Sequence, residues 1–332
     1  MQQNADNEIC PGEVIAGYRI EHELGRGAMA KVFLATQLGL DRPIALKMMA
    51  PRLQRDPEYV ARFFCEARAV AAFSHPNIVQ VYAAGETEGG LQYFAMEYVK
   101  GGTLEDLIRR QGHLHPSQAM TYAHDVVHAL DYGWRRLELT HGDIKPRNLL
   151  LGKNGVLKLA DFGLAKISTE QVQQQTRLVT PLYAAPEQIR GDADATGCRS
   201  DIYSFGATLY HMLAGHPPFP GTNPSEVMQK HLCEPVPPLT SEAEHIPDAL
   251  SELVLKLLEK SPANRPGDWG QVLHRLTAYT AGKRVFRTSR GGTASGAASS
   301  PQKPAHSPKP PRLATTRQHK IVLIVAATVS VI

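Results

Sequence analysis

The segment His141-Gly-Asp143-Ile-Lys145-Pro-Arg-Asn148, with Asp161-Phe-Gly163 beginning eighteen residues after Asp143, constrains this chain more than any other feature in it. Each of these residues alone is an ordinary turn former. Together, in this order, they supply an acid, an ammonium group, a side-chain amide and a second acid within a short span, and such groups gather where charge must be handled locally. The rest of the chain can support a site of that kind. With 332 residues, 42% of them apolar, it has room for a sizeable core in one large domain or two ordinary ones.

Phosphoryl transfer to a hydroxyl needs a carboxylate to orient the nucleophile and accept its proton, and oxygen ligands that hold Mg²⁺ on the phosphates. Asp143 fits the first role, and Asn148 and Asp161 fit the second. Lys145 is placed to neutralise charge on the group in transfer.

Upstream, Tyr18, Ile20 and Leu24 sit on alternate positions of a strand-like run that breaks at Gly25-Arg-Gly27 and resumes at Val32-Phe-Leu. A glycine turn between strands lets backbone N–H groups cover phosphates, although two spaced glycines also make an ordinary hairpin turn. In Ile44-Ala-Leu-Lys47-Met-Met a single lysine interrupts an apolar run and needs an anion, unless it snorkels from an edge strand. Glu66, among apolar positions of a helix predicted from Pro57 to Phe73, is the expected partner. Gly89-Gly and Leu91 to Val99 suggest a hairpin, and Gly101-Gly marks a flexible joint after which the pattern turns helical. The clearest helical stripe is Leu250, Leu253, Val254, Leu257 and Leu258.

In these motifs the chain resembles a eukaryotic-type protein kinase from about Tyr18 to Thr280, similar to the receptor-like Ser/Thr kinases of bacteria. The resemblance implies an α+β bilobal fold, with a small β-rich N-lobe carrying helix C and a larger, mainly helical C-lobe. By that likeness Leu24, Gly25, Gly27, Val32, Ala45 and Leu150 line the nucleotide site. Ala45-Leu-Lys47 matches the V-A-I-K strand, and Glu66 is the helix C glutamate. Met96 is the gatekeeper, with Glu97-Tyr-Val99 the hinge. Asp143, Lys145, Lys47 and Glu66 are then the catalytic set, and Asn148 and Asp161 the metal ligands. ATP with Mg²⁺, or Mn²⁺ in its place, is the implied cofactor. Ala185-Pro-Glu187 matches A-P-E, Asp201-Ile-Tyr-Ser-Phe-Gly206 the helix that anchors the catalytic loop, and Arg265 the partner of Glu187. Val70, His141 and Phe162 are placed like the regulatory spine. Lys145-Pro and Thr180 resemble Ser/Thr rather than tyrosine enzymes, so protein Ser and Thr hydroxyls are the expected acceptors.

Two positions depart from the family pattern. Gly142 replaces the arginine of H-R-D, which normally pairs with a phosphorylated loop residue, so activity is expected to depend less on phosphorylation of Ser168, Thr169 or Thr176. Val179 replaces a common glycine, with no physical account offered. A nucleotide-binding scaffold without transfer is the alternative reading, but Lys47, Asp143 and Asp161 are all present. A small-molecule kinase of related fold has no need of Thr180 to Glu187 or Arg265.

The chain divides into a lead-in (1–17), the N-lobe (18–98), the C-lobe (99–280), a basic Pro/Ser/Gly-rich linker (281–320) and an apolar segment (321–332). Lys283 to Lys320 hold nine Lys or Arg and no acid, which leaves 36 − 9 = 27 basic groups against 32 acidic ones elsewhere. A basic, aromatic-poor tail that leads into an apolar run suits anionic lipid better than nucleic acid. The last twelve residues would span about 18 Å as a helix, short of the ~30 Å hydrocarbon core. They are read as the start of a transmembrane helix, the other reading being a tail that packs elsewhere. The kinase portion is thus expected at the cytoplasmic face of the inner membrane, with self-association for autophosphorylation. The four cysteines show no C-x-x-C spacing, which argues against a zinc site or a disulfide framework.

Overall fold

In the computed structural model the described residues are 9–27, 29–161, 181–192, 197–242 and 246–282, without the side chains of 62, 66, 69, 154 and 242. Phe162, Gly163, Ser168, Thr169, Thr176, Val179, Thr180, the carboxylate of Glu66, the linker beyond 282 and the segment 321–332 lie outside them.

Six antiparallel strands form one sheet: β1 (Val14–Ile15), β2 (Tyr18–Arg26), β3 (Ala30–Gln37), β4 (Arg42–Met49), β5 (Val81–Glu86) and β6 (Gln92–Glu97), in the order β1-β2-β3-β4-β6-β5. The predicted alternation holds at the start of β2, where Tyr18 and Ile20 are buried, and fails at Leu24, which is 41% exposed. Register shifts between Ile20 and His22 and between Glu23 and Gly25 explain the failure, since a bulge reassigns every later side chain to a face.

Strand β4 lies between β3 and β6 and is buried on both faces. Ile44, Leu46 and Met48 pack with Tyr18, Ile20 and Phe33 on one face. Ala45 and Met49 face the larger core, which includes Phe63, Ala67 and Val70 of α1 (Pro57–Ala71). The two-residue period places Lys47 on that second face. Helix α1 begins where expected: Asp56 caps it by accepting the Glu58 N–H at 2.9 Å, and Pro57 takes the first turn, where no N–H is required.

The remaining elements are α2 (Leu104–Gln111), α3 (Pro116–Leu137), β7 (Leu149–Leu151), β8 (Leu157–Leu159), α4 (Pro186–Arg190), α5 (Cys198–Ala214), α6 (Pro224–Cys233), α7 (Leu239–Glu242), α8 (Asp248–Leu257) and α9 (Trp269–Thr280). Helix α5 is buried almost all round, as a central helix must be. Gly206 lets α8 come close to it, because a Cβ there would stand 2.8 Å from Leu257 Cβ.

The two lobes share one apolar core and are stitched by backbone bonds. Val79 N–H donates to Leu159 O at 3.0 Å, Leu159 N–H to Asn77 O at 2.8 Å, and Asn77 Nδ2 to Leu157 O at 2.9 Å. The expected flexible joint at Gly101-Gly is instead pinned. Gly101 N–H donates to Leu151 O and Leu151 N–H to Gly102 O, both at 2.9 Å. A Cβ on Gly101 would collide with Leu151 O, so this glycine serves close approach rather than freedom.

Candidate active site

The sheet sets the first part of the site. Val32 stands opposite Lys47 across β3 and β4, and Lys47 opposite Phe94 of β6. The lysine side chain is only 9% exposed, so its charge requires an anion. Asp161 supplies one: Lys47 Nζ donates to its Oδ1 at 2.7 Å. The expected partner, Glu66, lies on α1, and its carboxylate is outside the described residues. Asp161 has φ +58, a left-handed backbone uncommon for a residue with a side chain. Burial pushes its carboxyl up, but the charge and hydrogen bond of Lys47, helped by His141 and Lys145, outweigh this and hold it below the ordinary range.

The loop from His141 to the 3-10 turn Pro146–Asn148 sets the second part. Lys145 Nζ lies 2.6 Å from Asp143 Oδ2. Asn148 donates through Nδ2 to Asp143 O at 2.8 Å and to Asp143 Oδ2 at 3.2 Å. Its main-chain oxygen accepts the Ala160 N–H at 2.9 Å, which ties the amide to the residue before Asp161. Asp143, Lys145 and Asn148 therefore form one bonded cluster and Lys47 and Asp161 a second, the two tied through the main-chain bond from Ala160 to Asn148. With Nδ2 turned to Asp143, Asn148 keeps Oδ1 as a hard oxygen donor, and Asp161 offers carboxylate oxygens. That donor set fits Mg²⁺, which favours few protein oxygens plus phosphate and water. Among the described residues no three His, Cys, Asp or Glu side chains gather into a metal cage.

Two groups hold this loop in place. Asp201 on α5, 1% exposed, accepts the N–H of His141 at 2.6 Å and of Gly142 at 2.8 Å. Burial raises its carboxyl, against the pull of His141 and of those two N–H groups. His141 Nδ1 accepts the Asp143 N–H at 3.2 Å, so the ring carries its proton on Nε2, which donates to Ala160 O at 2.9 Å. The sequence reading of Gly142 concerned only the lost arginine. The structure adds a backbone reason, φ +79, which glycine adopts without strain.

The residues expected around a nucleotide are placed as follows. Ala45 and Met96 are buried and face each other across β4 and β6. Val32, Val99 and Leu150 are partly buried against the same core. Leu24 is exposed beside Gly25 and Gly27. A Cβ on Gly25 would meet nothing within 4 Å, and one on Gly27 only Ala30 O at 3.6 Å, so internal packing does not demand these glycines. The Glu97 carboxylate is engaged elsewhere, 3.0 Å from Lys158 Nζ. Val99 lies past the end of β6, and its N–H has no hydrogen-bond partner among the described residues. Val70 and His141 are buried.

Farther out, Arg265 and Glu187 form the expected ion pair, both fully buried, at 2.6 and 2.9 Å. Sequence reasoning missed the Lys47–Asp161 pair and a contact between Tyr183 and His211. Residues 114 and 28 positions apart leave no local period that would signal them.

A strand-rich lobe and a helical lobe, with a buried lysine of the sheet bonded to an aspartate that follows β8, define the bilobal kinase class of fold. The protein kinase domain model matches residues 18–276, and the chain belongs to that family. It is similar to the serine/threonine-protein kinase PknB of Mycobacterium leprae, 40% identical over 255 residues that make up 75% of this chain and 40% of that protein. PknB of Mycobacterium tuberculosis is 39% identical over 263 residues, 77% of this chain and 41% of that one. Among solved structures, the PknI kinase domain of M. tuberculosis matches with a TM-score of 0.65 and 28% identity, covering 83% of this chain and all of that one. The chain spans about two fifths of the length of the curated relatives it matches.

Proposed function

We propose that this chain is the catalytic part of a Ser/Thr protein kinase that moves the γ-phosphoryl group of ATP to protein Ser and Thr hydroxyls, its own included. The Asp143–Lys145–Asn148 cluster, tied to the Lys47–Asp161 pair through the Ala160 N–H on Asn148 O, carries the reading. Asp143 would orient the incoming hydroxyl and accept its proton. Lys145, already against that carboxylate, would offset charge on the group in transfer. Lys47 would hold the α and β phosphates, positioned by Asp161 and Glu66. Asn148 and Asp161 would hold a divalent cation, Mg²⁺ or Mn²⁺, which when bound neutralises phosphate charge. Ala45, Met96, Leu150, Val32 and Leu24 would enclose the adenine, with Glu97 and Val99 reading it through the backbone, and Gly25 and Gly27 would leave room over the phosphates.

Incubating the whole chain with labelled ATP, Mg²⁺ and myelin basic protein tests this. Label should appear on Ser and Thr, and Asp143→Asn should abolish it. Tight ATP binding without transfer would instead make the chain a scaffold.

The Gly142 substitution supports activity that does not wait for loop phosphorylation. Thr176→Ala should then lower turnover by less than tenfold, and a loss of several orders of magnitude would refute that. The basic 281–320 segment and the apolar residues after it support attachment at the cytoplasmic face of the inner membrane. Among the described residues no helix is long and apolar enough to cross a membrane. Flotation of the chain with anionic but not neutral vesicles, lost on deletion of 283–332, is the expected result.

A further inference from the structure

The middle of α3 reads His124-Asp125-Val126-Val127-His128, and both valines are buried in the core. Positions four apart on a helix lie one turn above each other, with roughly 5–6 Å between their Cβ atoms. The two histidines therefore share a face, and that face is open: His124 is half-buried and His128 exposed. Their ring centroids are 6.3 Å apart and the planes meet at 32°. An ion of zinc type, with bonds of ~2.0–2.1 Å to two imidazoles at a tetrahedral angle, sets the ring centres roughly 5 Å apart. Rotation of the exposed His128 side chain covers the difference of about 1 Å. The backbone beneath is fixed, because Asp125 accepts the Leu157 N–H of β8 at 2.9 Å.

Both rings have a lone pair to give. Among the described residues neither is hydrogen-bonded to a side chain or to the backbone. Burial, followed by the charge of His128, lowers the His124 imidazole against the pull of Asp125, which keeps it neutral at physiological pH. The nearby His75 differs. Its ring packs on Tyr132 with centroids 5.0 Å apart, and its Nδ1 accepts the Asn77 N–H at 3.1 Å, so its proton sits on Nε2 and no lone pair is left. The Asp125 carboxylate acts on His75 and His124 alike, which places an anion beside the pair. Lys158, a cation that acts on His75, is held by Glu97 at 3.0 Å.

We infer that His124 and His128 chelate one divalent transition-metal ion, of the zinc, nickel or copper type that prefers imidazole nitrogen. No third His, Cys, Asp or Glu gathers with them among the described residues, so the other positions around the ion fall to water. Mg²⁺ is a harder ion that takes oxygen ligands, and it has no reason to bind here. No residue assigned to phosphoryl transfer takes part, so the site stands apart from the kinase reading.

The test is isothermal titration of the whole chain with zinc chloride. Five proteins are compared: wild type, His124→Ala, His128→Ala, the double variant, and His113→Ala, which removes an exposed histidine on the loop after α2. Zinc taken up by carboxylates elsewhere is common to all five. Each of the two single variants on α3 should bind one zinc equivalent at least about 10-fold more weakly than wild type. The double variant should lose no more than either single, because a chelate is gone once one arm is removed. His113→Ala should titrate like wild type. Single variants on α3 that titrate like wild type overturn the inference. So do losses that add in the double variant, which mark independent imidazoles, and so does an equal loss in His113→Ala. Thermal melting without zinc shows which variants fold; if His124→Ala does not, His128→Ala, at an exposed position, decides alone. A folded wild type that binds no zinc removes the inference whether or not it transfers phosphate.

Discussion

Replacing Arg265 should unfold the C-lobe at a markedly lower temperature, and the structure indicates how much. Its guanidinium has five N–H donors, and all five are used: Nε to Glu259 O, Nη1 to Glu187 Oε1 and Arg199 O, and Nη2 to Glu187 Oε2 and Lys260 O. Glu187 also accepts from Ser200 Oγ at 2.6 Å, and neither partner of the ion pair is exposed. Arg265→Met leaves a buried carboxylate with one neutral donor and three carbonyls without theirs. Breaking a buried pair in this way costs about 3–5 kcal/mol. For a domain of this size each kcal/mol moves the melting temperature by roughly 2–4 °C, so a fall of about 6–20 °C is expected. Arg265→Lys should lose much of the same stability, because three donors on a point charge cannot satisfy five acceptors in a plane. The double variant Glu187→Leu with Arg265→Met should melt above at least one of the single variants, since it leaves no unpaired charge. Differential scanning calorimetry on wild type, Arg265→Met, Arg265→Lys, Glu187→Leu and the double variant decides. A melting point within about 3 °C of wild type for Arg265→Met, or a double variant that shows the sum of both losses, would refute the reasoning.

Three further outcomes follow from single residues. Gly142→Ala must hold a Cβ at φ +79 and should cost about 1–2 kcal/mol, read as a lower urea midpoint with unchanged slope. His231 is fully buried, and burial, followed by the charge of Lys260, lowers it from 6.5 to about 4. The unfolded chain therefore takes up its proton first, and up to about 3 kcal/mol of stability is lost as the pH falls from about 6.5 to about 4; His231→Gln should flatten that slope in melting temperature against pH. Lys47→Met removes the main group holding Asp161 low and leaves burial to act, so a carbon-detected NMR titration should find the carboxyl above its ordinary range.

What could be read from the residues alone depended on how local its cause was. Lys47 stood out because a charge in an apolar run has few explanations, and the strand around it formed as expected. The catalytic loop was legible because its acid, ammonium and amide lie within six residues, Asp143 to Asn148. Arg265 and Glu187 were paired in advance only through family likeness, since nothing in their spacing says that they meet. Leu24 was misplaced because bulges in β2 leave no mark on a hydrophobic pattern. The left-handed backbone of Gly142 was hidden behind the more obvious loss of an arginine. Tyr183 and His211 come together only because the turn before α4 lies against α5, and that is a property of the assembled lobe.

The backbone lock between Gly101 and β7 has a mechanical consequence. Because the chain is fastened to the larger lobe from Gly101 onward, any rocking of the small lobe on that side must be taken up by Tyr98, Val99 and Lys100, just beyond β6. Val99 among them is, with Glu97 just before, one of the positions expected to read the adenine ring. The stretch that senses the base would then also be the axle on which the jaws turn, so a molecule wedged there would set the angle of the mouth as well as fill it.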